Sequence, residues 1–419
     1  RICPFNPGDG GLLCLLCDCN RSAAACRSEK KRTFALVMTL EEYEWLVSDE
    51  ATRAVAENRG RDPLEVALDT RVPHARLVAT QVKYLHRAVS KLPSYAAAQC
   101  ILPPLAFEQA SSERCAAHKR IGGGRVLDLT CGLGVDALAL SRRFGQVVTL
   151  ERNEVLARVA RENFRRLGAA NIEVAAASAE EYLAQTHERF DWVYADPDRR
   201  SATGRKLVRL EDCSPSIPAL LPAIRRAGGG FCLKNSPLFD IDEALRLFPD
   251  SRVEAVSLDG ECKEVVVYDD GTGPEVTATA LGAADRSFTA RPDAVAPHPG
   301  VFAPARYRWL TVPDVALQKA RLARLQLAGQ ADIWSDNGFG FSAERPADAI
   351  GKVFAVASVE PYDPRRLRRE LKGCGATIFK RDFPLAVEEI MRRTGLRPGD
   401  DVRLAFTKID GAFWTIRLK

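Results

Sequence analysis

Nowhere does the sequence run for about 18 uninterrupted apolar residues, so a membrane-spanning helix is not expected. No internal repeat and no long low-complexity tract is visible, so neither a repeat array nor a long disordered stretch is indicated. Aromatic residues are scarce at 7%, and none cluster with the basic segments as a base-stacking platform would require. Neither sign of charge dominates: 60 Lys and Arg against 55 Asp and Glu leave +5. That mild balance permits a nucleic-acid partner without arguing for one. What is present is 46% hydrophobic residues over 419 positions, enough for two or three domains with sizeable cores.

Methionine is also nearly absent, with two in the chain, the first being Met38. Directly after it, Thr39-Leu-Glu-Glu42 has the spacing of a capping box that starts a helix. Residues 1–37 are therefore read as an upstream extension or an unfolded tail; they lack the apolar region and cleavage site of a targeting segment. Five of the 12 cysteines lie there (Cys3, Cys14, Cys17, Cys19, Cys26), close enough together to raise a zinc site. Two ligand pairs set apart by a folded loop are not evident, so no metal is expected. The remaining cysteines are scattered singly and read as buried free thiols of an intracellular protein.

From Thr39 to about His118 apolar residues recur at helical spacing, as in Val78, Val82, Leu85, Val89 and Leu92. Pro73, Pro93, Pro103 and Pro104 punctuate these helices. Residues 125–270 alternate β-rich and amphipathic runs. Seven strands are expected: 126–129, 147–150, 172–176, 192–195, 231–233, 253–258 and 265–268. Helices are read at 135–143, 154–167, 215–226 and 240–248. Such alternation predicts a largely parallel sheet covered on both faces. Only Asp259-Gly-Glu-Cys-Lys263 separates the last two strands, too short for a parallel crossover, so the last strand must be antiparallel. A Pro/Gly/Ala-rich stretch, 271–300, then reads as a boundary with some strand content. Beyond it lie strands near 353–356, 376–379, 402–406 and 414–416, with helices near 364–371 and 384–395.

The chemistry concentrates in Val126-Leu-Asp-Leu-Thr-Cys-Gly-Leu-Gly-Val-Asp136, a strand, a glycine-bearing turn and a helix start. Gly132 and Gly134 let the backbone pass close to a ligand, and the helix N-terminus offers free N–H groups. Glu151 closes the next strand, where a carboxylate can accept both ribose hydroxyls of a nucleoside. That arrangement alone suits NAD equally well.

The order Asp128, Gly132, Gly134, Glu151 and then Asp196-Pro197 after the fourth strand resembles class I S-adenosylmethionine-dependent methyltransferases. The antiparallel last strand suits that family and not a standard dinucleotide fold. Phe107-Glu-Gln-Ala-Ser-Ser-Glu113, Asp196-Pro-Asp-Arg-Arg200 and Leu210-Glu-Asp-Cys-Ser-Pro215 are similar to a bacterial group of these enzymes. Ser335-Asp-Asn337 and Phe379-Lys-Arg-Asp-Phe-Pro384 extend the resemblance over residues 39–419. That group carries a ferredoxin-like segment and a C-terminal THUMP-like domain.

The resemblance implies an α/β fold: a Rossmann-like seven-stranded methyltransferase sheet with an antiparallel last strand, an N-terminal helical domain and a C-terminal α+β THUMP-like domain. The expected boundaries are 38–118 for the helical domain, 119–270 for the cofactor-binding domain, 271–345 for a linker with the ferredoxin-like segment, and 346–419 for the THUMP-like domain. It implies S-adenosyl-L-methionine as cofactor. Asp128 would orient its amino end, Gly132 and Gly134 would pass beneath it, Glu151 would hold the ribose, and Ser178 and Ala179 would flank the adenine. Gln109 and Ser111, in the similar upstream motif, and Thr130, in the turn, join the cofactor set. Thr130 stands where many relatives have the first glycine, and Ser178 where many have an aspartate.

Asp196 and Pro197 are the expected catalytic corner, the acid accepting a proton or hydrogen bond from an attacking amine. No aromatic follows to stack on a base. Instead Arg199 and Arg200 either grip a phosphate bidentately or pair with Glu211 and Asp212 on the surface. Lys234 lines the substrate side or partners Asp196. A carbon-methylating route would need Cys213 or Cys232 as nucleophile; Cys232 reads as core, and two acids beside Cys213 disfavour its thiolate. RNA is the expected partner, by analogy with THUMP domains and from Arg365, Arg366, Arg368, Arg369 and Lys372 on one helix, with Lys380, Arg381, Arg392 and Arg393 beyond. The expectation is thus a cytoplasmic enzyme methylating a nucleobase nitrogen in RNA. The alternatives are a protein or small-molecule methyltransferase, or a non-catalytic RNA-binding protein that retains the cofactor fold.

Overall fold

A computed structural model describes residues 38–198 and 210–419. The five clustered cysteines, and Arg199 and Arg200, lie outside the described residues. The chain divides after Ala110 into two compact units.

The first unit is helical. Its opening helix, Leu40–Leu46, starts with the expected capping box: Glu42 N–H donates to Thr39 Oγ1 at 3.1 Å and Thr39 N–H to Glu42 Oε2 at 2.9 Å. The longest helix, Ala75–Lys91, buries Val78, Val82 and Leu85 as the sequence spacing suggested, with Ala88 continuing the stripe where Val89 is exposed. Prolines begin the helices Pro63–Leu68, Pro93–Ala97 and Pro104–Gln109, where no intrahelical N–H is lost.

The second unit is built on a nine-stranded sheet. Its strands are β1 (Gly123–Asp128), β2 (Phe144–Leu150), β3 (Ile172–Ala175), β4 (Phe190–Ala195), β5 (Gly228–Asn235), β6 (Arg252–Leu258), β7 (Glu261–Asp269), β8 (Glu275–Leu281) and β9 (Arg286–Ala290). The order is β3-β2-β1-β4-β5-β7-β6-β8-β9. Strands β1 to β5 run parallel, and β7 enters antiparallel to β5, as the short β6–β7 connection requires. Strands β8 and β9 arise from the stretch read as a boundary and extend the seven expected strands; β8 pairs parallel with β6. The helix Ala179–Gln185 was also not expected, although Ser178 and Glu181 form its capping box.

Alternation gives the sheet two different faces. One carries Leu127, Val148, Val193, Phe231, Leu233, Val253, Val265 and Val267, all buried in a single apolar core. Each such side chain contributes on the order of 1.5–3 kcal/mol by leaving water. The segment 315–327 closes part of this face with Ala316, Leu317, Ala323 and Leu327. The opposite face places Thr149, Asp128, Tyr194, Cys232, Glu264, Glu254 and Thr279 in a buried, largely polar row. His118 and Lys119, from the segment before β1, reach it: Glu254 accepts from His118 Nε2 at 2.9 Å, and from Thr279 Oγ1 at 2.6 Å and Tyr268 OH at 3.0 Å within the sheet.

A second sheet of seven strands follows, with β10 (Trp309–Pro313), β11 (Gly340–Ser342), β12 (Gly351–Pro361), β13 (Gly375–Lys380), β14 (Arg397–Pro398), β15 (Val402–Ile409) and β16 (Ala412–Leu418). Its order is β11-β10-β12-β16-β15-β13-β14. The helices Pro364–Leu371 and Val387–Thr394 pack Leu367, Leu371 and Ile390 against Leu404 and Phe406. A separate core gathers Phe302, Tyr307 and Phe341, with Trp334 against it.

Candidate cofactor and reaction site

The C-terminal ends of β1, β2 and β4 meet at one edge of the first sheet. Strand β1 ends at Asp128, which is fully buried. Its Oδ1 accepts from Thr130 N–H at 2.9 Å and its Oδ2 from Thr149 Oγ1 at 2.7 Å. Both oxygens therefore hold the turn in place from within. Burial pushes this carboxyl up to about 7, against 3.8 for a free one, although the bonds from Thr149 and Thr130 pull the other way. Between those values the folded chain holds the extra proton. The stabilising share of Asp128 is thus complete below about pH 4 and lost progressively up to about pH 7. Asp128→Asn is expected to remove that slope from a plot of melting temperature against pH. Identical slopes in the two proteins would show that Asp128 does not titrate in this way.

The turn itself needs glycine. Gly132 and Gly134 have φ of 56° and 85°, the left-handed region. A Cβ on Gly134 would also sit 2.4 Å from the Phe164 ring, so the helix Val135–Ser141 can start where it does only without one. Gly132 N–H donates to Glu151 Oε2 at 3.0 Å, and Asn153 N–H to Glu151 Oε1 at 2.8 Å. Each oxygen thus keeps a lone pair for a further donor. Burial raises the Glu151 carboxyl, opposed by these two N–H bonds.

Thr130 has a purpose that a glycine could not serve. Its hydroxyl accepts from Asp196 N–H at 2.7 Å and lies 3.3 Å from Asp128 Oδ1, joining the β1 turn to the corner after β4. The Asp196 carboxylate is bound through Oδ2 by the Lys234 ammonium at the end of β5. Of the two roles open for Lys234, the structure displays partnership with Asp196. Burial disfavours the Lys234 charge, but Asp196, Asp136 and Glu264 outweigh it and hold the ammonium above its usual range. Pro197 is buried behind the corner, and Asp198 exchanges backbone bonds with Ser214 at 2.8 and 3.0 Å. Arg152, next to Glu151, donates to Ser214 Oγ at 2.9 Å.

The other predicted positions are distributed as follows. Ser178 caps the helix Ala179–Gln185, and its Oγ lies 2.8 Å from Glu181 Oε2; Ala179 is buried in the apolar core. Ser111 donates to Asp136 Oδ2 at 2.7 Å. Gln109 ends the last helix of the first unit. Cys232 and Cys213 are both buried, and burial drives the Cys232 thiol far above the range of a nucleophile. Sequence reasoning missed Lys119, Asp136, Tyr194 and Glu264. Lys119 is buried, bonded to Glu264 Oε1 at 2.6 Å and 3.8 Å from Asp136 Oδ1. Only Asp136 carried a signal, standing two residues after Gly134.

A methyltransferase-domain model matches residues 126–203, and a THUMP domain-like model matches 351–419. An uncharacterised S-adenosylmethionine-dependent methyltransferase of Mycobacterium tuberculosis is 28% identical over 337 residues, 77% of this chain and 90% of that protein. The chain is an S-adenosylmethionine-dependent methyltransferase with a THUMP-like C-terminal domain. Its cofactor is S-adenosylmethionine. The ribosomal RNA small subunit methyltransferase J of Coxiella burnetii is 30% identical over 146 residues, 26% of this methyltransferase and 57% of that protein. In fold, a candidate methyltransferase from Porphyromonas gingivalis W83 superposes with a TM-score of 0.74 at 24% identity, covering 91% of this methyltransferase and 99% of that chain.

The site's own residues fit that cofactor. The strained glycine turn, the half-buried Glu151 with spare acceptor capacity, and the buried Asp136 Oδ1 with no hydrogen-bond partner among the described residues all suit a polar, cationic ligand.

Proposed function

We propose that this methyltransferase transfers the methyl group to a nucleobase nitrogen in structured RNA, acting in the cytoplasm. The observation that carries this reading is the Asp196–Pro197 corner, its backbone fixed by Thr130 and its carboxylate by Lys234, at the strand edge that bears the glycine turn. S-adenosylmethionine would supply an electrophilic methyl on a sulfonium, chemistry that needs position more than acid–base assistance. Gly132, Gly134 and Glu151 would hold the nucleoside part, Glu151 accepting from the ribose. Asp196 Oδ1 takes no partner among the described residues and would accept the N–H of the attacking amine, receiving its proton once the nitrogen is methylated.

RNA as the substrate class is supported by the THUMP-like match and by the ribosomal RNA methyltransferase among the relatives. Charge supports it more selectively than the sequence suggested. Arg366 is engaged by Glu360 and Glu370, and Arg392 and Arg393 by Glu389. Arg365, Arg368, Arg369 and Lys372 remain exposed without an ion pair among the described residues and would contact phosphates. No helix among the described residues is long and apolar enough to cross a membrane.

Calorimetric titration with S-adenosylmethionine tests the site. Saturable binding is expected, weakened roughly tenfold or more in Glu151→Ala through the lost charged acceptor. Equal affinity in both proteins would remove Glu151 from the site. Incubation with radiolabelled cofactor and separate RNA, protein and small-molecule fractions then tests the substrate class. Label in RNA is expected; label confined to protein or small molecules would overturn the RNA reading.

A further inference from the structure

Two lysines and three carboxylates lie together on the polar face of the first sheet. Lys119 bonds Glu264 at 2.6 Å and lies 3.8 Å from Asp136, while Lys234 bonds Asp196. Strand register places Lys234 opposite Val266, two residues from Glu264 on the same face of β7, and Tyr194 two residues before Asp196 on β4. Counting formal charges, Lys119 and Lys234 leave one of the three carboxylates uncompensated. Glu254 does not draw on these lysines, since His118 and Arg120 serve it, and Asp128 could only add to the negative side.

Exposure rises across the cluster toward Asp196. Side-chain exposure is 1% for Lys119 and Glu264, 13% for Asp136 and Lys234, and 25% for Asp196. A second observation concerns two polar atoms within the layer. Tyr194 is fully buried with its hydroxyl toward the Asp136 carboxylate, yet neither that hydroxyl nor Asp136 Oδ1 completes a hydrogen bond of full geometry among the described residues. Buried polar atoms of this kind are ordinarily completed by a ligand or an ordered water.

We propose that this buried layer makes the reaction chamber selective for cofactor charge, favouring the cationic sulfonium over the neutral thioether left after transfer, with Lys234 setting the size of the preference. The inference rests on the reading that the Asp196 corner faces the methyl group. In the transfer, the carbon–sulfur bond breaks with its electron pair staying on sulfur, and the nitrogen lone pair forms the new bond. Positive charge therefore moves from sulfur to the accepting nitrogen and leaves as a proton to Asp196. Once Asp196 has passed that proton to water, the chamber faces a neutral ligand with its own negative charge restored, which favours release of the spent cofactor.

The test uses the full chain and calorimetry with S-adenosylmethionine, S-adenosylhomocysteine and the cationic analogue sinefungin. The measured quantity is the ratio of the homocysteine Kd to the methionine Kd. Lys234→Met adds one negative charge and is expected to raise that ratio by roughly tenfold, the effect of a unit charge at close range in a partly solvated site. Glu264→Gln removes one negative charge at a residue too buried to touch a ligand and is expected to lower the ratio comparably. Sinefungin should follow the sulfonium in both. Lys234→Arg, which keeps the charge, should restore the wild-type ratio. Ligands that bind with ratios unmoved in both variants would overturn the charge preference alone. Failure of either ligand to bind the wild-type chain would overturn the cofactor site itself, and the preference with it. Should Lys234→Met fail to fold, Glu264→Gln and Lys234→Arg still decide the matter.

Discussion

Asp196→Ala is expected to lower methyl transfer by about 10²–10⁴-fold, the usual worth of a positioned acid–base group, while affinity for the neutral S-adenosylhomocysteine changes by less than about threefold. The reasoning is geometric. The oxygens that would hold the nucleoside belong to Glu151 and the glycine turn, and none of their bonds runs through the Asp196 carboxylate. Only the backbone of Asp196 is tied to that turn, through Thr130, and alanine keeps the same N–H. The loss should fall on kcat, because the carboxylate is needed once the amine attacks. Asp196→Asn separates charge from shape: it still offers Lys234 an oxygen but cannot take the proton, and should be nearly as inactive. Turnover unchanged in both variants would end the role assigned to the corner.

Lys119→Met is expected to cost about 3–5 kcal/mol of stability, the range for breaking a buried ion pair from one side. Lys119 is 1% exposed and its ammonium is shared between Glu264, Asp136 and the Cys115 carbonyl. Burial disfavours its charge, yet Glu264 and Asp136 more than compensate and hold it protonated. Removing it strands Glu264 on the sheet and Asp136 on the helix beside it. Combining Lys119→Met with Glu264→Leu should recover at least half of the loss, since an apolar pair of similar volume is often neutral in such places. Denaturant melts of the single and double variants check this. A single variant within about 1 kcal/mol of wild type would mean that the pair is not closed in solution.

The sheet was legible in the sequence because runs such as Val147-Val-Thr-Leu150 between two amphipathic segments have few other homes. The glycine turn and Asp196-Pro197 were legible for the same reason, since their residue types suit sharp backbone geometry and little else. Strands β8 and β9 were obscured by the glycine, proline and alanine around them. Even so, Val276-Thr-Ala-Thr-Ala280 alternates small side chains that pack tightly beside β6. Lys119 and Glu264 could not be found by reading along the chain. Each stands among polar neighbours, Ala117-His-Lys-Arg120 and Glu261-Cys-Lys-Glu264, that would suit a wet surface. Their burial arises from a contact across 145 positions, which no local pattern encodes. Thr130 was expected in the cofactor set and as a departure from relatives. Its reason lies in the distance it bridges between two strand ends.

The segment 315–327 has a consequence for how the molecule can be taken apart. Ala316, Leu317, Leu322 and Leu327 fill the apolar core of the first sheet, although they follow its last strand by some 25 positions. Asp314, just before them, takes a hydrogen bond from Ser257 Oγ at 2.5 Å. A fragment stopped after Ala290 would keep every strand of the cofactor fold and still leave an oily furrow open to water. Such a fragment should clump, whereas the chain carried through Lys419 keeps that furrow covered and should stay dispersed. In this molecule the chain that leads toward the THUMP-like domain doubles as wall plaster for the catalytic one, so the seam between the two is not where the sequence changes character.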